Sequence, residues 1–518
     1  MARATSVIAL GNVASRVLGL AREIILSALF GAGAAVDAFN LAIIVPRGLY
    51  DLLIGGHVNS ALVPVLSDYA ARDDHRDLWE LVNALLGIVV ITLSALILGL
   101  ELLAPQIIGL VASDETTPAV IDKATHLLRV TAPALMFLSL FAVLSGLLYA
   151  LRRFTWPAFA STVFNGTIVI ITLVFAHSLG ITAAALGWLV GAVVQLALQL
   201  PGLHDARLHV RLSGLLNHPG VRKIGLLYVP VMASLALDVL VNRPFSYNLA
   251  SRTGEGSISY MNWATTLIQF PQGLVAIAIS VAILPTLSRQ AVNPAGLDDF
   301  KTTLGQGLRL ASVLIIPAAV GLFVLAGPVV GLIFEHGKFT AGDTAITALA
   351  LRLYLLGLPF AALDLLLVFA FYARQNTITP ALVGLLSLAA YMVTALVLLR
   401  WYSFFALMVA DSVKHLVHTG VSAWLLGRGM DGFGGQRLMR TLLRTMVAAA
   451  GMGLAAWGIA LGLDHTLSLS GIVADALTVI GAGGVGFIVF AALAARLGLD
   501  EWRWMVDLLR GKLLGRTP

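Results

Sequence analysis

Two arginines, Arg16 and Arg22, stand in the first apolar stretch of this chain, and Glu23 follows directly. A guanidinium keeps its charge at membrane depth, and its fork of donors matches two phosphate oxygens at once. Such a group is costly in hydrocarbon, so it faces a partner or a cavity, where a low dielectric strengthens its pull on an anion. At roughly 100° per residue, the separation from 16 to 22 sets the guanidiniums about 120° apart around a helix. One wide cavity could hold both, but they share no single stripe. The next stretch brings Asp37, then Asp51 and His57. An Arg22–Asp37 ion pair is the plain structural reading of the second arginine. Arg16 is left with few acids to neutralise it and reads as a ligand for an anionic group.

The second half of the chain differs. Arg16 plus 222 is Asp238, and Arg22 plus 221 is Arg243. Asp238 and Asn242 lie four apart on one helix face. Their oxygens suit a hard cation such as Na⁺, and the carboxylate could equally carry a proton; a salt bridge from Asp238 to a neighbouring helix is the competing reading. Asp364 and Asp411 carry the same alternatives, while Lys414, His415 and His418 read as lining the inner mouth. Arg129 and Arg352, 223 apart, read as helix-packing or interface residues. His57, His126 and His177 read as solvated or structural.

The elements that must hold these groups are membrane helices. Hydrophobic residues make up 59% and charged residues 12% of the 518 residues, with mean hydropathy +0.92; a soluble domain carries roughly 25% charge. Stretches long enough to cross a bilayer, about 20 residues each, recur throughout. They predict 14 spans, over 5–30, 36–67, 79–111, 120–150, 157–177, 181–203, 222–251, 257–288, 303–333, 343–373, 379–399, 403–427, 437–463 and 471–496. The charged first stretch reads as a span rather than a cleaved signal. With no cysteine, disulfides, thiolate metal sites and cysteine nucleophiles are excluded.

The chain also repeats itself. Pro46-Arg47-Gly48-Leu49 returns as Pro271-Gln272-Gly273-Leu274, and Leu62-Val63-Pro64-Val65-Leu66-Ser67 as Ile283-Leu284-Pro285-Thr286-Leu287-Ser288. Tyr149 to Tyr372 and Pro157 to Pro380 are both offset by 223. Proline is rare inside helices, so Pro46, Pro64, Pro271 and Pro285, with Gly55 and Gly56, read as gate or hinge positions where the second and eighth spans bend. Lys and Arg crowd the loops on one side, including Arg72, Arg76, Arg152, Arg153, Arg222, Lys223 and Arg428, against Lys123, Arg252, Lys338 and Arg400 on the other. That bias predicts cytoplasmic termini. Six spans per copy predict two parallel lobes about an axis along the membrane normal, with the site between them. The segments are 1–215, 216–432 and a two-helix appendix over 433–518. The fold class is all-α. The +6 charge reflects insertion topology before any anionic partner, and no nucleic acid is implied. No phosphate loop, paired-histidine metal motif or Gly-x-Ser-x-Gly elbow is present, so the chain reads as a transporter without a cofactor, coupled if at all to Na⁺ or H⁺.

Ser15-Arg16-Val17-Leu18-Gly19-Leu20-Ala21-Arg22-Glu23, Phe30-Gly31-Ala32-Gly33, Asp37-Ala38-Phe39, Arg153-Phe154-Thr155-Trp156-Pro157 and Phe334-Glu335-His336-Gly337-Lys338-Phe339-Thr340 resemble the MurJ (MviN) lipid II flippase family, in order through both repeats. That family belongs to a superfamily that also holds multidrug exporters and polysaccharide-precursor flippases. The resemblance implies a bacterial cytoplasmic-membrane protein that moves lipid II, an undecaprenyl diphosphate bearing a disaccharide-pentapeptide, from the inner to the outer leaflet by alternating access. It implies a monomer surrounded by membrane lipids, working alongside cell-wall synthesis proteins. Arg16, Arg22 and Arg243 would face the diphosphate, and Asp37 would position an arginine or help close the outer gate. Where many members have arginine, this chain has Tyr50 and Thr266, and it has Gly55 where many have an acid. The alternatives are a flippase for another lipid-linked sugar, a multidrug antiporter, a membrane glycosyltransferase or polymerase, and a division scaffold. Paired arginines point to anionic cargo and away from an organic-cation exporter.

Overall fold

The computed structural model describes residues 2–53, 58–72, 75–209, 218–292, 296–430, 432–466 and 471–513, and among these the chain forms helices and no strand. Among the described residues nine helices are long and apolar enough to cross a membrane, or ten if the pair Ala341–Leu355 and Leu358–Ala373, bent by 42°, is one span. The helical runs over 2–30, 34–53, 58–70, 219–251 and 405–428 fall outside that set. They are the runs that hold Arg16 and Arg22, Asp37 and Asp51, Asp238 and Arg243, and Asp411 and Lys414. Charge has been built into them at the expense of hydropathy.

The chain forms two compact units. The first is Met1–Ser259 with His336–Phe339. It contains α1 (Ala2–Phe30), α2 (Ala34–Leu53), α3 (Val58–Ala70), α4 (Arg76–Leu102), α5 (Ala104–Val111), α6 (Pro118–Thr131), α7 (Ala134–Ala150), α8 (Thr155–Leu179), α9 (Thr182–Ala197), α10 (Pro219–Leu237) and α11 (Arg243–Ser251). A π-helical turn, Asp238–Asn242, joins the last two. Its core gathers Leu66, Leu78, Leu81, Leu147 and Leu148 from α3, α4 and α7. The repeat assigns 219–251 to the second copy, yet this run packs in the first unit. Asn248 donates to the Ala112 carbonyl (2.8 Å) and Ser113 N–H to Ser251 Oγ (2.9 Å).

The second unit is Tyr260–Glu335 with Thr340–Pro518. It holds most of α12 (Ser257–Pro271), then α13 (Ala278–Val292), α14 (Leu297–Val324), α15 (Ala326–Phe334), α16 (Ala341–Leu355), α17 (Leu358–Ala373), α18 (Ile378–Tyr402), α19 (Phe405–Arg428), α20 (Leu438–Thr466), α21 (Ile472–Arg496) and α22 (Asp500–Leu513). Its main core joins Leu287, Phe300, Leu304, Leu366, Ala370 and Leu426. Pro271 is followed by a second π-helical segment, Gln272–Ile277; losing a backbone donor lets the ladder widen there. Thr340 and Asp343 form a reciprocal capping box at the start of α16, and Arg309 pairs with Glu501 of the amphipathic α22.

The duplication extends to the backbone. Arg152 (φ 59°) matches Gln375 (φ 58°), 223 residues on, each two residues after the end of an α-helix. The helix break at Leu103 matches one at Leu325. Arg129 donates to the Glu101 carbonyl (3.3 Å) and Arg352 to the Phe323 carbonyl (3.1 Å), each two residues before its break. These arginines therefore close helix ends, the packing role expected of them. Gly180 caps α8 at φ 57°, ψ −142°, and Ser403 caps α18 at φ 54°, ψ −147°. Only glycine enters that region without strain. Ser403→Gly is expected to stabilise the protein by about 1 kcal/mol, read as a higher unfolding temperature of the detergent-purified chain.

Candidate functional site

The first unit carries most of the charges that the sequence singles out. α1 lies along α8 at very close range: a Cβ on Gly11 would stand 2.1 Å from the Ala158 carbonyl oxygen. Thr162 Oγ1 donates to the Gly11 carbonyl (3.1 Å). That packing sets Arg22 against Asn165, whose Oδ1 accepts from Arg22 Nη1 (3.0 Å). Arg22 also donates to Glu23 Oε1 through Nη2 (2.6 Å) and Nε (3.1 Å). The Arg22–Asp37 ion pair is thus replaced by a pair between neighbours in sequence, which leaves Arg22 about neutral in sum. Arg16 is different. It is exposed, and among the described residues no hydrogen bond or ion pair engages its guanidinium.

Asp37 is 5% exposed. Its carboxylate accepts from Gly256 N–H (2.6 Å), Ser259 N–H (2.9 Å) and Ser259 Oγ (2.6 Å). These donors open α12, where unpaired backbone N–H groups and the helix dipole favour an anion. Asp37 is therefore bonded to a helix N-terminus rather than, among the described residues, to an arginine. The first unit is also tied by Lys338 N–H, which donates to the Ala28 carbonyl (2.8 Å). Gly337 (φ 59°) permits this, since a Cβ there would meet the Ala28 oxygen at 2.3 Å.

Arg243 bridges two carboxylates, with Nη1 on Asp51 Oδ2 (2.7 Å) and Nε on Asp238 Oδ2 (3.0 Å). Asn242 Nδ2 donates to Asp238 Oδ1 (2.8 Å). The residues read as a cation site thus lie in the π-helical turn, and a guanidinium already balances Asp238. The turn packs on α2, where a Cβ on Gly48 would stand 2.9 Å from Val239 Cγ1. Tyr50 packs into the core beside Leu93 and Leu100, and Thr266 Oγ1 bonds its own helix at the Asn262 carbonyl (2.9 Å).

Sequence reasoning passed over Arg47. It is the exposed residue of α2, where every other side chain from 34 to 53 is buried or half-buried. Like Arg16 it has no hydrogen-bonding or ionic partner among the described residues. Its position beside Pro46 drew attention to the repeat rather than to the charge. Arg47 stands one helical turn before Tyr50, where arginine is absent. An unengaged guanidinium on each of α1 and α2 can take the oxygens of an anionic ligand.

Of the expected hinge residues, Pro46 is buried within α2, Pro64 is exposed within α3, Pro271 closes α12 and Pro285 is exposed within α13. Gly55 and Gly56, with His57, lie outside the described residues. Asp364 lies in the second unit on α17, bonded to His418 of α19. Among the described residues no group of three or more His, Cys, Asp or Glu is arranged to hold a metal ion.

In the loop before α8, Arg153 forms a two-pronged pair with Asp205 (both 2.6 Å). The guanidinium holds the Asp205 carboxyl down at about 2. A lowered carboxyl contributes stability above its ordinary value near 3.8 and loses it as pH falls through the folded value. Asp205→Asn is therefore expected to lower the unfolding temperature equally at about pH 6 and pH 8. The difference from the native chain should shrink only in strong acid, and it should be small because the pair is exposed.

A family model described as "Lipid II flippase MurJ" matches residues 26–474. A probable lipid II flippase MurJ of Vibrio cholerae serotype O1 is 31% identical over 510 residues, covering 94% of both chains. The lipid II flippase MurJ of Burkholderia cenocepacia is 32% identical over 382 residues, 72% of this chain and 73% of that one. Among solved structures, lipid II flippase MurJ in an inward closed conformation superposes with TM-score 0.79 at 22% identity, covering 95% of this chain and 99% of that one. An inward-facing multidrug resistance MATE family transporter of the MOP superfamily gives TM-score 0.64 at 15% identity over 82% and 95%. The last two likenesses concern the fold.

Proposed function

This chain belongs to the lipid II flippase MurJ family, and on that premise we propose that it flips lipid II with Arg16 as the principal ligand of the diphosphate. It is a multi-pass protein of the bacterial inner membrane whose cargo is lipid-linked. The cargo moves from the inner to the outer leaflet by alternating access, in a monomer with both termini cytoplasmic. The transporter has no need of an enzyme centre, since the cargo leaves chemically unchanged.

One observation carries the assignment of the ligand. Arg16 keeps its full set of donors unengaged, whereas Arg22 is satisfied by Glu23 and Asn165 and Arg243 by Asp51 and Asp238. A doubly charged diphosphate is matched by guanidiniums that no carboxylate has claimed. Arg47 is the second such group and supplies from α2 what Tyr50 and Thr266 do not. Arg22 and Arg243 then shape the site, and Asp37 anchors α12.

The function is tested by labelling lipid II at the outer leaflet of cells depleted of their own flippase. Expression of this chain should restore labelling, and no gain over the empty vector would point to another cargo. Arg47→Ala should reduce the restored signal about tenfold, the scale of one lost charge-assisted contact. Protein abundance should hold, because no bonding partner in the described structure depends on Arg47.

A further inference from the structure

We propose that Asp364 and His418 form a proton-binding site within the second unit, with Asp411, Lys414 and His415 setting its charge balance, and that this proton is the coupling ion of transport. The coupling rests on the flippase reading; the site does not.

The cluster is built on two helices held in register. Thr419 Oγ1 on α19 donates to the Phe360 carbonyl of α17, and Ser412 Oγ to the Leu353 carbonyl of α16 (both 2.8 Å). Asp364 Oδ1 and His418 Nδ1 are then in direct hydrogen-bond contact, at side-chain exposures of 16% and 12%. Ser422 Oγ lies 3.4 Å from the same nitrogen. About two turns earlier on α19, Asp411 accepts from Lys414 Nζ (2.5 Å) and lies 3.7 Å from His415 Nε2. From α18, Tyr391 presents its ring to the Lys414 ammonium at 5.5 Å. A Cβ on Gly384 of α18 would stand 3.8 Å from His418 Nε2, so the second imidazole nitrogen faces a residue without a side chain. Tyr372 is the further titratable group on α17. The arginine of α16, Arg352, is turned to the Phe323 carbonyl.

Charge counting points to a proton. Two carboxylates and one ammonium leave one negative charge in excess when both imidazoles are neutral. Uncompensated charge in a half-buried, low-dielectric setting is costly. One proton removes the excess: with His418 Nδ1–H already donated to Asp364 Oδ1, a new N–H bond forms at His418 Nε2, and deprotonation breaks that same bond with no other change. Sodium fits poorly. It requires several oxygen ligands, whereas here an ammonium and two imidazoles already occupy the carboxylates.

The duplication shows that packing alone does not call for these charges. With the 223-residue offset that aligns Gly180 with Ser403, the five positions in the first unit are Phe141, Trp188, Gly191, Ala192 and Gln195. None is ionisable, and all five are buried. The same helix pair thus closes without charge in one copy and carries five titratable groups in the other.

The test uses the full-length chain, native and as His418→Gln or Asp364→Asn, each first checked for an undisturbed monodisperse fold. In weakly buffered detergent solution, a jump from about pH 8 to pH 5 should load about one proton fewer on each variant than on the native chain. In proteoliposomes with the potential clamped, a pH gradient should change the rate of lipid II movement by the native chain. His418→Gln should lose that response. Equal proton uptake by the native chain and both variants overturns the site. Unequal uptake with an unchanged gradient response overturns the coupling. A proton deficit in the variants of a chain that moves no lipid II would uphold the site while removing the flippase reading.

Discussion

Arg16→Ala is expected to abolish growth rescue of cells depleted of their lipid II flippase, with normal amounts of the variant in the membrane. Among the described residues no hydrogen bond or ion pair engages this guanidinium, so its removal leaves no described buried group without a partner. A charge-assisted contact to a phosphate oxygen contributes about 1.5–3 kcal/mol, so losing it should weaken cargo binding about 10- to 100-fold. Arg16→Lys, a point charge without the fork, should recover part of the activity. Arg22→Ala should also impair function, but by another route. It strips Glu23 and Asn165 of their partner and leaves a carboxylate unpaired at membrane depth. Adding Glu23→Ala to Arg22→Ala should therefore recover protein abundance, with a coupling of about 1–3 kcal/mol in a double-mutant cycle. If Glu23→Ala deepens the loss instead, Arg22 is not held as described.

Asp37→Ala is expected to be the most destabilising of the single changes considered. Its carboxylate satisfies three donors in a site closed to water. Alanine leaves Gly256 N–H, Ser259 N–H and the Ser259 hydroxyl without an acceptor, at a cost of about 3 kcal/mol. Asp37→Asn retains one oxygen and should lose less. Thermal unfolding of the purified chain in detergent gives the ranking native, Asn, Ala. An unfolding temperature unchanged by Asp37→Ala would remove the anchoring role.

The duplication was legible in the sequence because prolines and tyrosines recur at nearly constant offsets, and it reappears in matched backbone angles at Arg152 and Gln375. The helical class followed from hydropathy. The two charged helices of the first span pair could be located, but their bonding could not. Spacing cannot say that Arg22 will turn to Glu23, since rotamers are settled by the approach of Asn165 from α8. Nor can it say that Asp37 meets residues 219 positions away, because a helix N-terminus attracts any anion that tertiary structure delivers. The π-helical turn over Asp238–Asn242 was also hidden: its wider coil brings Arg243 onto Asp238, where an ordinary helical reading saw only Asp238 and Asn242 together. Arg47 carried a signal in its charge at membrane depth, but the repeat motif masked it.

The central claim is that an unclaimed guanidinium on α1 holds the diphosphate of lipid II. Affinity of purified lipid II for the native full-length chain and for Arg16→Ala measures it directly. A loss of about tenfold or more in Arg16→Ala, easing as salt screens the native interaction, is the predicted result. Equal affinity of the two proteins for lipid II at low salt would contradict it.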